Sequence, residues 1–520
     1  MSNSKLAHDY PKLYYLVDVM STAFLNKKAL LFGLLVLLGF YSKSLKAQVF
    51  NLEFINPAKL FASLSIERIN GDTIMILPLT RNVQYNRIGY SPTIIGSNGN
   101  MYSSKEIVDS TAASYTGWAN SLNPIGQGNF VFAGNIYRDT SLIGTITTID
   151  RKGDTIWSRY YGAPSISFNV FHQARETRNG DIIAVGAHAF RGQRNDGWLV
   201  RTDSSGNVLW DRKYSTSIGT QEFLYSVQET YDGGFILGGQ EQEFPNNQNT
   251  RNYDPILIKV DSAGNQIWRY RYNTPYDDPT NYCIQTFDSN YVCAGSYSYK
   301  INGLPRSRAM LLKISRDGQF MWKKEYGPLK NFHSLYIVKQ LPDSSLIAVG
   351  KRLETQDLVV GVMLRTKANG DSIFVRNYQY DSSQALNDNL LHDVIQMSDG
   401  GFMACGEVIH DQTFTDRQNP WLIRTDSNGC MLSSCLVGMD EFPFGEDELL
   451  IYPNPSNGQF QLSGLQYKPL QMLLYDLQGR ELRNYNPQET IWQLPEEKGM
   501  YLLRIQTKEG EWVNRKVLRE

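Results

Sequence analysis

The chain has 520 residues, with 51 Lys plus Arg against 52 Asp plus Glu and a formal net charge of −1. That length exceeds one ordinary core, and the charge balance excludes the basic surplus with which a nucleic-acid binder neutralises phosphates. A hydrophobic content of 41% excludes general disorder, while 12% aromatic residues, 31 of them Tyr, suit an extracellular all-β protein.

Near the N-terminus, Lys27 and Lys28 precede an apolar run from Ala29 to Phe40, and Ala47-Gln48 follows a short polar segment. This is the pattern of an export signal, with a basic start, an apolar centre and a small residue before the cut. The run is short for a membrane span, although an N-terminal anchor helix is the alternative. Residues 1–47 read as the signal, with Met20 as an alternative start and Gln48 as the mature N-terminus. No Cys follows the run to carry a lipid.

From there the chain repeats. Gly99, Gly153, Gly206, Gly264, Gly318, Gly370 and Gly429 each close a tight turn, at gaps of 54, 53, 58, 54, 52 and 59 residues. A period near 50 marks a propeller or solenoid. In the unit Leu224–Tyr272, two hairpins carry the alternating segment Tyr225–Thr230, the apolar runs Phe235–Gly239 and Ile256–Val260, and Gln266–Tyr272. Four short strands joined by tight turns make a propeller blade. Gly134, Gly186, Gly239, Gly295, Gly350 and Gly406 are expected to end the second strands. Trp157, Trp210, Trp268 and Trp322, with Phe374 in the same place, are expected to wedge between blades. The first unit fits weakly, as terminal repeats do, giving seven blades with six as the alternative over residues 48–438. Asp203, Asp261 and Asp426 open their turns by bonding local backbone, a simpler account than calcium binding. The Asp-x-x-Gly-x-x-x-Trp pattern resembles the tryptophan-docking repeat of quinoprotein-type propellers. The adjacent cysteines those enzymes use are absent from the sequence.

Segment lengths point to one working face. The first hairpin is constant, with 12 residues from Val227 to Gly239, Cys283 to Gly295, Val338 to Gly350 and Val394 to Gly406. The loop after the second strand and the connection to the next blade vary, and in an up-and-down blade both emerge on one side, where binding is usually placed. Asn120, His172, Tyr225, Asn281, Tyr336 and His392 precede the core of each inner strand and are expected to ring the channel mouth on that side. They suit a sugar or peptide ligand, or serve as ordinary strand-edge residues. Two histidines, His172 and His392, make a poor metal set, and no metal or cofactor is expected. Asp277, Asp278 and Asp388 fall in loops where a glycosidase would place carboxylates, yet no catalytic motif accompanies them. The favoured function is a binding or adhesion module for a glycan, peptide or surface polymer. The alternative is a polysaccharide hydrolase or lyase acting at the channel mouth.

Five cysteines remain: Cys283, Cys293, Cys405, Cys430 and Cys435. In an oxidising compartment Cys430–Cys435 and Cys283–Cys293 are candidate disulfides, and Cys405 reads as a core residue. Residues 439–448 form an acidic linker, and residues 449–520 read as six or seven short strands of an immunoglobulin-like β-sandwich.

That tail carries Tyr452-Pro453-Asn454-Pro455 with Gly458, then Leu474–Arg480 containing Gly479 and Arg480, then Gly499–Ile505 containing Tyr501, and Lys516-Val517-Leu518. In order and placement these blocks resemble the type A C-terminal sorting domain of the type IX secretion system. The resemblance implies a signal-dependent step into the periplasm, recognition of the tail by the secretion translocon, and release or attachment to surface lipopolysaccharide. The Cys430-to-Cys435 segment also resembles the usual end of such cargo repeats. Nothing about the cargo's own activity carries over.

Overall fold

The computed structural model describes residues 49–520 apart from 55–59, 163–166, 217–219, 244–252, 381–386, 411–417, 432–449, 464–467, 477–479, 507–511 and a few shorter gaps. The signal segment, the acidic linker, Cys435, Pro455 and Gly479 therefore lie outside the described residues.

Seven inner strands follow one another around a ring: Leu60–Asn70, Leu122–Ile125, Ser167–Glu176, Thr220–Glu229, Thr280–Gln285, His333–Gln340 and Asn387–Gln396. The seventh packs against the first, closing a seven-bladed β-propeller. The weak first unit is a full blade, continuing through Thr73–Asn82, Thr93–Gly96 and Met101–Ser104. The seventh blade draws on both ends of the propeller sequence. Its outer strand is Phe50–Glu53, antiparallel to Gln418–Thr425, with Phe50 opposite Arg424 and Glu53 opposite Trp421. Side chains fix that strand: Trp421 Nε1 donates to Asn51 Oδ1 (2.6 Å), and Asn51 Nδ2 donates to the Gln379 carbonyl (2.9 Å).

Neighbouring blades are joined at two radii. Near the axis, the residue after the bulge in one inner strand accepts from a backbone N–H of the next blade. Gln173 takes Val227 N–H (2.8 Å), Ser226 takes Cys283 N–H (2.9 Å), and Asp393 takes Ile66 N–H (3.1 Å) across the closure. At the rim, the repeated Trp covers the turn glycine of the following blade, so that a Cβ on Gly264 would lie 2.9 Å from Trp210. Four residues later a Tyr hydroxyl donates to that glycine's carbonyl: Tyr161 to Gly206, Tyr214 to Gly264, Tyr326 to Gly370 and Tyr378 to Gly429. The tryptophans are thus half-buried latches between blades at the rim. At the closure Leu52 and Phe50 cover Gly99 in the same way.

The turn aspartates are consumed locally. Asp203 Oδ1 accepts from Ser205 N–H and Asn207 N–H (both 2.9 Å), and Asp261 does the same with Ala263 and Asn265. Cys283 and Cys293 are register partners on adjacent strands and are disulfide-bonded, with Cα atoms 4.1 Å apart. Cys430 is disulfide-bonded, and Cys405 is a free, buried thiol.

The tail forms two sheets. One contains Leu450–Tyr452, Gln459–Ser463 and Trp492–Gln493; the other contains Glu481–Tyr485, Gln471–Tyr475, Gly499–Gln506 and Trp512–Arg519. Their shared core includes Phe460, Met472, Trp492, Leu503, Ile505 and Val517, the arrangement of a small β-sandwich.

Candidate functional site at the channel mouth

The second-strand glycines lie within their strands rather than at the ends, and the reason leads to the mouth. Gly186 sits mid-way in Ile182–Phe190, where a Cβ would stand 1.8 Å from the Val170 carbonyl oxygen. Opposite it the inner strand bulges between Phe171 and Gln173, leaving His172 unpaired. The same register shift isolates Tyr225, Asn281, Tyr336 and His392. A bulge re-aims the extra residue out of the pleat. The glycine therefore permits the close approach, and the bulge frees one side chain per blade to leave the alternation.

Four of these residues gather with a fifth aromatic that the repeat does not announce. His172 and Tyr225 have ring centroids 4.7 Å apart, and Tyr336 stacks on His392 at 5.1 Å and 16°. Trp118 reaches both pairs, lying 6.3 Å from Tyr225 and 6.2 Å from Tyr336. It contacts blades four and six although it comes from blade two, so its indole spans the channel. Its backbone N–H donates to the His172 carbonyl (3.0 Å), and Gly117 makes room, since a Cβ there would be 2.1 Å from that oxygen. Trp118 keeps 37% of its surface exposed, whereas Tyr336 and His392 keep 7% and 4%. The mouth is therefore an aromatic cup with a buried floor on one side.

Burial holds the His172 imidazole down to about 4, although its Nδ1 meets the Leu224 carbonyl at 2.7 Å, so the ring is neutral at ordinary pH. Burial likewise pushes the Tyr225 and Tyr336 hydroxyls well above the usual phenol range. His392 Nε2 lies 2.9 Å from Glu407 Oε1, while His392 Nδ1 and Glu407 Oε2 are buried with no hydrogen-bond partner. Lys351 Nζ stands 6.0 Å from the Tyr336 ring.

Asn120 takes another role. It is fully buried at φ 55°, and its side chain donates to Asp393 (3.0 Å) and accepts from Gln173, Tyr282 and Arg175. It belongs to a polar network that crosses the channel and includes the Lys339–Asp393 ion pair (2.8 Å). Burial raises the Glu67 carboxyl within this network, with Lys339 acting against it. Asn281 shares the bulge position, and its side chain is outside the described set. Asp278 is buried and accepts from Ser298 N–H, Asp388 lies half-buried on the inner strand of blade seven, and Asp277 falls outside the described residues. Among the described residues no group of three His, Cys, Asp or Glu could hold a metal.

The tail's four motif blocks serve its own fold. Asn454 Nδ2 donates to the Lys516 carbonyl and its Oδ1 accepts from Leu518 N–H, both at 2.8 Å, so one side chain stitches the first block to the last. Arg480 N–H and Nε both donate to Asp476, and the Tyr501 hydroxyl donates to the Glu497 carbonyl (2.6 Å). Residues 450–519 match the family of secretion system C-terminal sorting domains. That tail supports reading the chain as a type IX secretion cargo protein. Its sorting domain supports interaction with the type IX machinery and implies export out of the cell, to the surface or the medium. No curated protein matches the chain. Solved structures similar to the cargo include a PL25 ulvan lyase (TM-score 0.47, 6% identity, covering 74% of this chain and 97% of that one). They also include the β-propeller domain of the trilobed protease from Pyrococcus furiosus (0.39, 10%, 74% and 98%) and a protein of unknown function from Bacteroides caccae (0.36, 13%, 55% and 87%). At these identities the likeness concerns the fold alone.

Proposed function

We propose that the exported propeller is a binding module that holds a glycan in the cup formed by Trp118, His172, Tyr225, Tyr336 and His392. The observation that carries this reading is Trp118, a half-exposed indole set across the channel between Tyr225 and Tyr336. Aromatic faces with polar tips suit the C–H faces and hydroxyl edges of sugars. A polysaccharide hydrolase or lyase is the second reading. It is favoured by the His392–Glu407 pair beside Tyr336, which could move a proton at a bound sugar. In the same proposal, residues 1–47 direct passage to the periplasm, residues 48–438 are the mature propeller, and residues 449–520 are the exported tail signal. The cargo then stays on surface lipopolysaccharide or is released.

The test is a polysaccharide array probed with the secreted protein and with Trp118→Ala, reading retention together with release of reducing ends. Retention lost in Trp118→Ala, without release, supports binding. Release moves the catalytic reading to the front, and no response to either protein refutes the cup as a glycan site. Deleting residues 449–520 should leave the protein inside the cell envelope.

A further inference from the structure

The floor of the cup, between blades six and seven, holds polar atoms that lack partners. Glu407 and His392 are both more than nine-tenths buried, and Glu407 Oε2, His392 Nδ1 and Asp388 Oδ1 have no partner. Buried polar atoms are nearly always satisfied, so three orphans in one place point to an occupant. These residues converge. His392 meets Glu407 at 2.9 Å and stacks on Tyr336. Asp388 feels the charges of Lys351 and Glu407. His392 Nε2 faces the Glu407 carboxylate, and Nδ1 on the other side of the ring is left without a partner. The floor thus offers two carboxylates against one Lys, beside the Tyr336–His392 stack.

We infer that this floor selects an amino sugar, with a protonated amine donating to Glu407 and Asp388 beside the aromatic rings. The inference rests on the glycan reading of the cup and adds the class of glycan. An ammonium supplies donors to carboxylate oxygens that lack them, and it is favoured beside aromatic rings. A uronate or sulfated sugar would set its own anion against the two carboxylates. A neutral sugar could donate hydroxyls but would leave the charge unmatched. Burial also raises the Asp388 carboxyl, with Lys351 and a hydrogen bond from the Val359 backbone opposing and Glu407 adding to the effect.

The test is calorimetric titration of the full secreted chain with a β-1,4-linked glucosamine hexamer, its fully N-acetylated counterpart and a hexuronate oligomer of equal length. The glucosamine hexamer should bind at least about tenfold more tightly than either, the worth of one charge-assisted hydrogen bond. Glu407→Gln keeps the shape, removes the charge and should erase most of that preference. Asp388→Asn is the second variant, and melting curves for both establish that they fold. If the N-acetylated or uronate oligomer binds as tightly as glucosamine and is lost in Trp118→Ala, the amine preference is overturned while the cup stands. If no oligomer binds and Trp118→Ala changes nothing, the cup itself is refuted.

Discussion

Two glycines in blade four separate backbone strain from the contact that joins blades. Gly233 and Gly264 both sit in turns, at φ +82° and +81°, and both N–H groups close their turns by bonding three residues back. A Cβ on Gly233 would meet nothing within 4 Å, whereas one on Gly264 would lie 2.8 Å from Arg212 Cγ and 2.9 Å from Trp210 Cζ3. An alanine at positive φ costs roughly 1–2 kcal/mol. Forcing extra volume into an existing contact adds roughly 1–3 kcal/mol. Gly233→Ala should therefore destabilise by about 1–2 kcal/mol, from strain alone. Gly264→Ala should cost about 2–5 kcal/mol, because the Trp210 latch must open as well. In a Trp210→Ala background the Gly264→Ala cost should fall toward the Gly233 value, with the Arg212 Cγ contact accounting for what remains. Denaturant midpoints of the secreted protein and the four variants measure this. Equal costs for the two glycines, or an unchanged Gly264→Ala cost once Trp210 is gone, would refute the latch as a joint between blades.

Three further outcomes are expected. Tyr214→Phe and Tyr326→Phe each remove one hydroxyl from a buried turn carbonyl and should each cost about 1 kcal/mol by denaturation, with no change in secondary structure by circular dichroism. Leu52→Asp places a charge in the closing strand against Gly99 and should open the ring, seen as an increased radius in small-angle scattering and fast proteolysis near residues 50–54. Acid should unfold the protein through His333, which burial, aided by Arg352 and Arg308, holds down to about 3. Because its folded value lies below the ordinary 6.5, its contribution is complete above that pH and is lost as pH falls from 6.5 toward 3. The slope from this group approaches about 1.4 kcal/mol per pH unit, and His333→Asn should flatten it in pH-dependent melting.

Much of this architecture was legible because the same physical demand recurs in each blade. A turn that requires positive φ selects glycine, so Gly99 through Gly429 marked seven blades. The bulge positions were also visible, since His172, Tyr225, Tyr336 and His392 share a place in the repeat. The bulge itself was hidden: it made Gly186 and its equivalents look like strand ends, when each lies opposite a carbonyl inside its strand. Asn120 holds the repeat position but turns inward because its backbone is at φ 55°. Trp118 occurs once, so no period reveals it; the adjacent Gly117 was the only local sign. Glu407 and Lys351 come from second strands, and the packing of blade six against blade seven sets both beside Tyr336 and His392.

The closing strand has a consequence for when this protein becomes a finished object. Phe50 pairs with Arg424, so the first strand waits for nearly every later blade before it has a partner. Pairing at such sequence separation is slow to form, and until it does the chain is an open arc with unpaired edges. The sorting domain begins at residue 450, just after the closing strands are complete in sequence. Any chain that carries the export tag has therefore already been made with everything required to shut the ring. A fragment cut short before residue 418 lacks the address and the clasp together, and order along the sequence thus acts as a check on what can leave the cell.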